Sequence, residues 1–353
     1  MALTPPRFRH EVIDADPPGS EHDITLTADL TGNGLPDIII GGKKGDPSLF
    51  WYENPGWTLH AMSATPELEA GGVVVDINGD GRPDVVAGEQ WGGKRLFWFE
   101  CPEDPRQPWT RRIIEDRFEK YHDQVVGDAD GDGEPEILIS SQNAGVLAYY
   151  DIPDGPEAEP WPRPCCHVVA TDFNDVEGLA IVDIDGDGVN EIIAGPSIFR
   201  PGDGGEWRRE TLLEGWPMTR VVVADVNGDG HLDLVLAEGE SEPGRLAWLE
   251  GPDWTLHLLA DDLFHPHSLA VADLNGDGTL DIFTAEMGLG NNEEPRMLVY
   301  AGDGRGGFEA FEIGRGIPTH EAKLADLSGD GRMDIVGKPY HPERHIDVWW
   351  NET

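Results

Sequence analysis

The sequence predicts an all-β fold, a seven-bladed β-propeller of four antiparallel strands per blade, as one domain over residues 1–353. Three observations predict it. A nine-residue motif, D-x-[N/D]-G-[D/N]-G-x-x-[D/E], recurs seven times with small departures (Thr31 and Ser328 at position 3), starting at Asp29, Asp76, Asp128, Asp183, Asp225, Asp273 and Asp326. Its period stays near 50 residues, with steps of 47, 52, 55, 42, 48 and 53. Each repeat also carries four short strand-like runs, and the run missing from the last repeat stands at the N-terminus. A period of this size over the whole chain signals a repeat architecture.

The first run of each repeat leads into the motif, as in GGVVVD, TRVVVAD and HSLAVAD, and the second leaves it, as in DIIIGG, DVVAGE and DLVLAE. Short Val/Ile/Leu runs bounded by Gly read as buried strands. The third run is aromatic: SLFWYEN, RLFWFE, RLAWLE, RMLVY, HIDVWW. The fourth follows W-T-x-H-x-x in WTLHAM, WTRRII and WTLHLL, with WRRETL, HVVA and FEAFEI as variants. Four such strands make one propeller blade. The seventh repeat stops after its third run, and FRHEVI (Phe8–Ile13) supplies the fourth from the other end. The N-terminal strand therefore joins the last blade.

Composition limits the partners. The chain has 68 Asp+Glu against 25 Lys+Arg, a formal net charge of −43. That excludes nucleic acid and anionic membrane surfaces, which require basic patches. With 39% hydrophobic residues and 12 Trp, the chain has the material for a core and is not disordered. Three Cys, two of them adjacent (Cys165, Cys166), give no disulfide framework. No apolar h-region opens the chain, so the expectation is a cytoplasmic protein, or a secreted or periplasmic one if a signal was removed. A monomer or small homo-oligomer is expected.

Motif positions 1, 3, 5 and 9 put hard oxygen ligands on one loop, and Gly at positions 4 and 6 lets the loop wrap. That is Ca²⁺ chemistry. The candidate ligands are Asp29, Thr31, Asn33 and Asp37 in the first copy, and Asp76, Asn78, Asp80 and Asp84 in the second. The third and fourth offer Asp128, Asp130, Asp132 and Glu136, then Asp183, Asp185, Asp187 and Glu191. The fifth offers Asp225, Asn227, Asp229 and Asp233, and the sixth Asp273, Asn275, Asp277 and Asp281. The seventh offers Asp326, Ser328, Asp330 and Asp334. These positions hold 22 of the 68 acids, and seven bound ions would bring the net charge to −29. An EF-hand is excluded because position 12 is apolar (Ala87, Leu236) and the flanks read as strands.

The motif, its place between the first two strands and its spacing resemble the FG-GAP/VCBS repeats of integrin α-subunits and many bacterial proteins. The resemblance implies a propeller stapled by structural calcium ions. The blades, the W-T-x-H strands and the His-bearing first strands are also similar to aldos-2-ulose dehydratase and to propeller polysaccharide lyases. That similarity implies β-elimination on a sugar or uronate glycoside, a carbon–oxygen lyase. The alternative is a propeller that binds carbohydrate or protein without turnover.

Opposite the motif loops, the leading ends of the first strands form a predicted rim that gathers His22, Asp23, Glu69, Tyr121, His122, Asp123, Glu177, Arg220, His265, His267, His320 and Glu321. Loops after the second strands add Lys43, Glu89, Gln90, Trp91, Glu286, Lys338, Tyr340, His341 and His345. His122 is predicted as the base. His267 and His320 are expected as ligands of substrate or metal, with Lys338 or Tyr340 assisting the leaving group. His265 and His267, on one face of a strand, could hold a second divalent metal together with His320. Gln90, Trp91, Tyr121, Arg220, Glu321 and His341 are the expected substrate-binding residues, with Trp91, Tyr121 and Tyr340 available to stack on sugar rings.

Overall fold

The computed structural model describes residues 3–174, 176–202 and 204–353. Strand β1 (Phe8–Asp14) comes first. The next four sheets run β2 (Ser20–Ala28), β3 (Asp37–Lys44), β4 (Leu49–Glu53), β5 (Thr58–Ser63); β6 (Val73–Val75), β7 (Asp84–Gly88), β8 (Leu96–Glu100), β9 (Thr110–Glu115); β10 (Tyr121–Gly127), β11 (Glu136–Ser141), β12 (Val146–Asp151), β13 (Cys166–Ala170); and β14 (Leu179–Val182), β15 (Glu191–Ala194), β16 (Ser197–Pro201), β17 (Trp207–Thr211). Then follow β18 (Thr219–Ala224), β19 (Asp233–Glu238), β20 (Gly244–Glu250), β21 (Thr255–Leu263); β22 (Ser268–Ala272), β23 (Asp281–Ala285), β24 (Arg296–Gly302), β25 (Phe308–Arg315); and β26 (His320–Ala325), β27 (Asp334–Lys338), β28 (Ile346–Asn351). Each set is an antiparallel meander, and β1 adds to β28 as the fourth strand of the last. The protein is an all-β, seven-bladed β-propeller, closed as the sequence predicts.

Contacts gather the chain into two compact units. Pro18–Thr211 holds four blades, and Leu212–Thr353 with residues 1–17 holds three. Within each unit the second strands are buried end to end, as in Asp84–Gly88 and Asp233–Glu238. That explains why they read as unbroken apolar runs rather than alternating ones. Third-strand aromatics fill the space between neighbouring blades. Trp51, Phe97 and Phe99 pack with Ile24 and Ile39, and Trp98 with Tyr121, Ile137 and Tyr150. In the three-bladed unit, Trp248 meets Ile282 and Tyr300, and Trp349 meets Phe283 and Ile335.

The outer strands are tied down by a repeated clamp. The Trp51 ring lies 4.6 Å from His60, whose Nε2 is 2.9 Å from Glu53. Trp248, His257 and Glu250 repeat it at 4.2 and 2.8 Å, and Tyr149, His167 and Asp151 at 4.8 and 2.9 Å. In the last blade His10 of β1 lies 4.9 Å from Trp349 and 2.8 Å from Asp347. The histidines of the W-T-x-H strands are therefore structural.

Candidate functional site

Every motif is a tight loop organised by its first carboxylate. Asp76 Oδ1 accepts the N–H groups of Gly79 and Asp80, and Oδ2 accepts that of Gly81. Gly79 and Gly81 stand at φ +72° and +82°, which is why glycine occupies both places. The ninth carboxylate is buried and brackets the blade. Asp84 accepts from Ile77 N–H (3.1 Å) and from Cys101 N–H (2.7 Å) at the end of the third strand. Asp37, Asp233, Asp281 and Asp334 make the same two bonds. Burial pushes Asp37, Asp84 and Asp281 up to about 6 and Glu136 to about 7, with nearby motif carboxylates adding to the rise.

The seven loops differ in how they offer oxygen. Glu136 and Glu191, one methylene longer than Asp, each accept a loop N–H through Oε2 alone, from Ala129 and Ile184. Among the described residues, Asp128, Asp130 and Glu136 bring ligand oxygens within 4.8 Å of one another, as do Asp183, Asp185 and Glu191. Such a set of hard oxygens fits a Ca²⁺ ion. Elsewhere position 3 is turned to other work. The amide nitrogens of Asn78, Asn227 and Asn275 at that position donate to Glu100, Glu250 and Thr4 O, and in the first copy Asn33, at position 5, donates to Asn54 O. In the second and seventh loops the position-5 carboxylates, Asp80 and Asp330, are paired with Arg82 and Arg332.

At the leading ends of the first strands, non-glycine residues sit in the left-handed region in five blades: Glu21, Lys120, Met218, His265 and Glu321, with φ between 41° and 62°. Each costs on the order of 1 kcal/mol or more and persists only where the surroundings impose it. The backbone helps to impose it, since Gln142, Gly239 and Met287 N–H donate to the carbonyls of Lys120, Met218 and His265.

In the four-bladed unit, Lys43 Nζ lies 2.7 Å from Asp23 and 2.7 Å from Glu69, both buried. His122 Nδ1 is 2.7 Å from Asp123 Oδ2, and Nε2 is 3.4 Å from Glu177. Only hydrogen fits at Gly71 and Gly88 beside it, where a Cβ would stand 2.3 Å from the His122 carbonyl oxygen and 2.4 Å from Tyr121 Cβ. Burial opposes the charge of His122, but Glu177, Asp123 and Glu69 overcome it and hold its pKa at about 9. An imidazole charged at neutral pH has no lone pair to take a proton, a setting that runs against the predicted role of base. Tyr121 is placed away from its predicted role. Its side chain is fully buried against Trp98 and Ile137 and cannot stack on a sugar. Trp91 is exposed, with Gln90 beside it hydrogen-bonded to Glu67. Glu89 and Glu286, rim residues in the sequence, brace their own loops through Arg95 and Arg296.

In the three-bladed unit, Glu321 is the centre of a buried cluster. Arg220 forms an ion pair with it, Lys323 Nζ is at 3.1 Å and His267 Nδ1 at 3.4 Å. Burial works against this carboxylate, yet Arg220, Lys323, His267 and Lys338 hold its pKa well below the usual range. The rings of His267 and His320 are 4.3 Å apart, and Tyr340 lies 5.3 Å from His320. Lys338 Nζ is 3.2 Å from His320 Nδ1 and 3.1 Å from its carbonyl oxygen. His341 is exposed one residue beyond Tyr340.

The predicted second metal set is corrected in one respect. β22 begins at Ser268, and His265 precedes it with φ 41°, so the two-residue alternation of a strand does not align His265 with His267. His265 instead meets Phe264, with ring centroids 4.6 Å apart. What spacing could not reveal was the pairing of Lys43 with Asp23 and Glu69, because the two acids come from different blades. The signal for the Glu–Arg braces was present, as an acid ending the second run and an Arg opening the third.

Residues 29–87, 76–139, 225–284 and 273–337 match the FG-GAP-like repeat, together more than half of the chain. No curated protein matches it in sequence. The solved structures that share its architecture include the following two. One is BBS1N, crystallised in complex with ARL6DN, with a TM-score of 0.60 and 10% identity over 99% of this chain and 98% of its own. The other is an ancestral GH74 enzyme, with a TM-score of 0.64 and 12% identity over 94% of this chain and 48% of its own. This chain thus spans about half the length of that enzyme. At such identities the likeness is one of fold alone.

Proposed function

Because this chain belongs to the FG-GAP-like repeat family, we propose that its blades serve as a calcium-stapled frame for a carbohydrate lyase or dehydratase. The observation that carries the reading is the contiguous run Glu321–His267–His320–Lys338 with Tyr340 beside it. Glu321, next to Nδ1 of His267, favours a proton there and leaves Nε2 as the base for a proton α to a carboxylate or carbonyl. Lys338, as an ammonium, donates to His320 Nδ1, so the His320 proton sits on Nε2 as a donor to the enolate oxygen. The Tyr340 phenol protonates the departing oxygen as the C–O bond breaks and the C=C bond forms. Arg220, anchored by Glu321, adds positive charge near the developing anion.

The test is absorbance of an unsaturated uronate or conjugated enone during incubation with uronate-containing glycans and keto-sugars. Tyr340→Phe and His267→Gln are expected to lower turnover roughly 10²–10⁴-fold with melting temperature unchanged. Undiminished turnover in both variants overturns the assignment. The competing reading, binding without turnover, is favoured by how many of these side chains pair with one another. It predicts retention on a glycan matrix with no product from any substrate.

For the metal, we propose that the third and fourth loops bind Ca²⁺ more tightly than the other five, through Asp128, Asp130 and Glu136 and through Asp183, Asp185 and Glu191. The ion would supply the positive charge that these clustered acids lack. Calorimetric titration of chelated protein is expected to resolve about two tight sites, each removed by Glu136→Gln or Glu191→Gln. Calcium at about 100 times its Kd should add roughly 2.7 kcal/mol of stability per site. Seven equivalent sites, or none, would refute this.

A further inference from the structure

The largest exposed aromatic surface among the described residues belongs to Trp91, 64% exposed. Exposure of one ring is ordinary by itself, but the loop that carries this one is tied by several hydrogen bonds. Its loop is closed by Gly93 N–H donating to Gln90 O (2.8 Å) and by Glu89 N–H donating to Arg95 O (2.8 Å). The Glu89 carboxylate lies beneath the turn, accepting the N–H groups of Lys94 and Arg95 and the Arg95 side chain. Gly93 is required there, since a Cβ would meet Glu89 Cγ at 2.2 Å. Lys120, itself buried, backs the ring with Nζ 5.0 Å from its centroid, and its left-handed backbone (φ 62°) is tied to the same loop through Gly93 O.

The segments carrying Trp91 and Lys120 also hold amide–carboxylate pairs. The Gln90 amide donates to Glu67, and from the next blade the Asn143 amide donates to Glu119 (2.9 Å), adjacent to Lys120. A flat aromatic face next to fixed amide–carboxylate pairs matches a pyranose ring, which offers a C–H face to stack and hydroxyls to donate and accept. The hydrogen bonds that close this loop reduce the ordering needed on binding.

We propose that Trp91, with Lys120 against its ring and the Gln90–Glu67 and Asn143–Glu119 pairs on the adjoining segments, is a sugar-binding subsite of the four-bladed unit. The inference rests on the carbohydrate class of ligand proposed above, but not on turnover. The test is isothermal titration and affinity electrophoresis of the full chain with polygalacturonate, alginate and a neutral β-glucan. Trp91→Ala is expected to weaken binding of the retained glycan about tenfold, and Trp91→Phe to restore most of it, both melting with the parent. Equal affinity of Trp91→Ala and parent overturns the subsite, and so does failure of the parent to bind any of the three. If binding falls as expected while no unsaturated product ever forms, the lyase reading fails and the subsite stands. If product forms and Trp91→Ala leaves KM unchanged, the subsite fails alone.

Discussion

A chain lacking residues 1–14 is expected to lose on the order of 5 kcal/mol of stability, a large share of what a typical domain possesses. β1 runs the length of β28, from Phe8 opposite Asn351 to Val12 opposite Asp347 and, past a one-residue shift of register, Asp14 opposite Ile346. Its ladder bonds, at about 1 kcal/mol net each, account for most of the loss. The Trp349–His10–Asp347 clamp, the Trp350 Nε1 bond to Glu11 and the packing of Phe8 against the Trp349 cluster account for the remainder. Without β1, β28 becomes a bare aromatic edge, a template for aggregation. Urea titration of both chains measures the difference, and a synthetic peptide of residues 4–14 should restore stability when added in trans. A truncated chain with an unchanged midpoint would show that the last blade stands on three strands.

Asp84→Ala should be among the most damaging single substitutions, costing about 3–5 kcal/mol. Removing the carboxylate strands two buried N–H groups, those of Ile77 and Cys101, and hydrogen bonds to a charged group contribute about 1.5–3 kcal/mol each. Asp84→Asn keeps one acceptor and should lose about half as much. Measured in excess chelator, the loss reports the bracket itself. The midpoint should shift with the m-value unchanged. A loss equal to that of Asp80→Ala, on the exposed side of the same loop, would mean that the bracket adds nothing.

The fold was legible because its signals are local. FRHEVI reads as an outer strand wherever it stands in the chain, and the Gly pairs of the motif report backbone angles directly. The candidate site was only partly legible. Strand alternation gives no reason for Tyr121, His122 and Asp123 all to be buried, but the register shifts between Tyr121 and Asp123 and all three turn inward. His265 failed as a strand residue for a similar reason, a left-handed backbone that no side-chain pattern announces. The charge on His122 depends on Glu177, more than fifty residues away in sequence. The Trp–His–Glu clamps could have been read in advance, since the His of W-T-x-H and the acid two residues after the third-strand Trp recur together.

The pairing of β1 with β28 also sets how the molecule answers to mechanical load. Arg7 N–H donates to Thr353 and Glu352 N–H to the Arg7 carbonyl, so both chain ends leave from the same end of one antiparallel pair. A force pulling those ends apart peels the ladder one rung at a time instead of shearing all its rungs together. The seam that resists urea cooperatively should therefore open at low tension, and β1 should be the first element to yield.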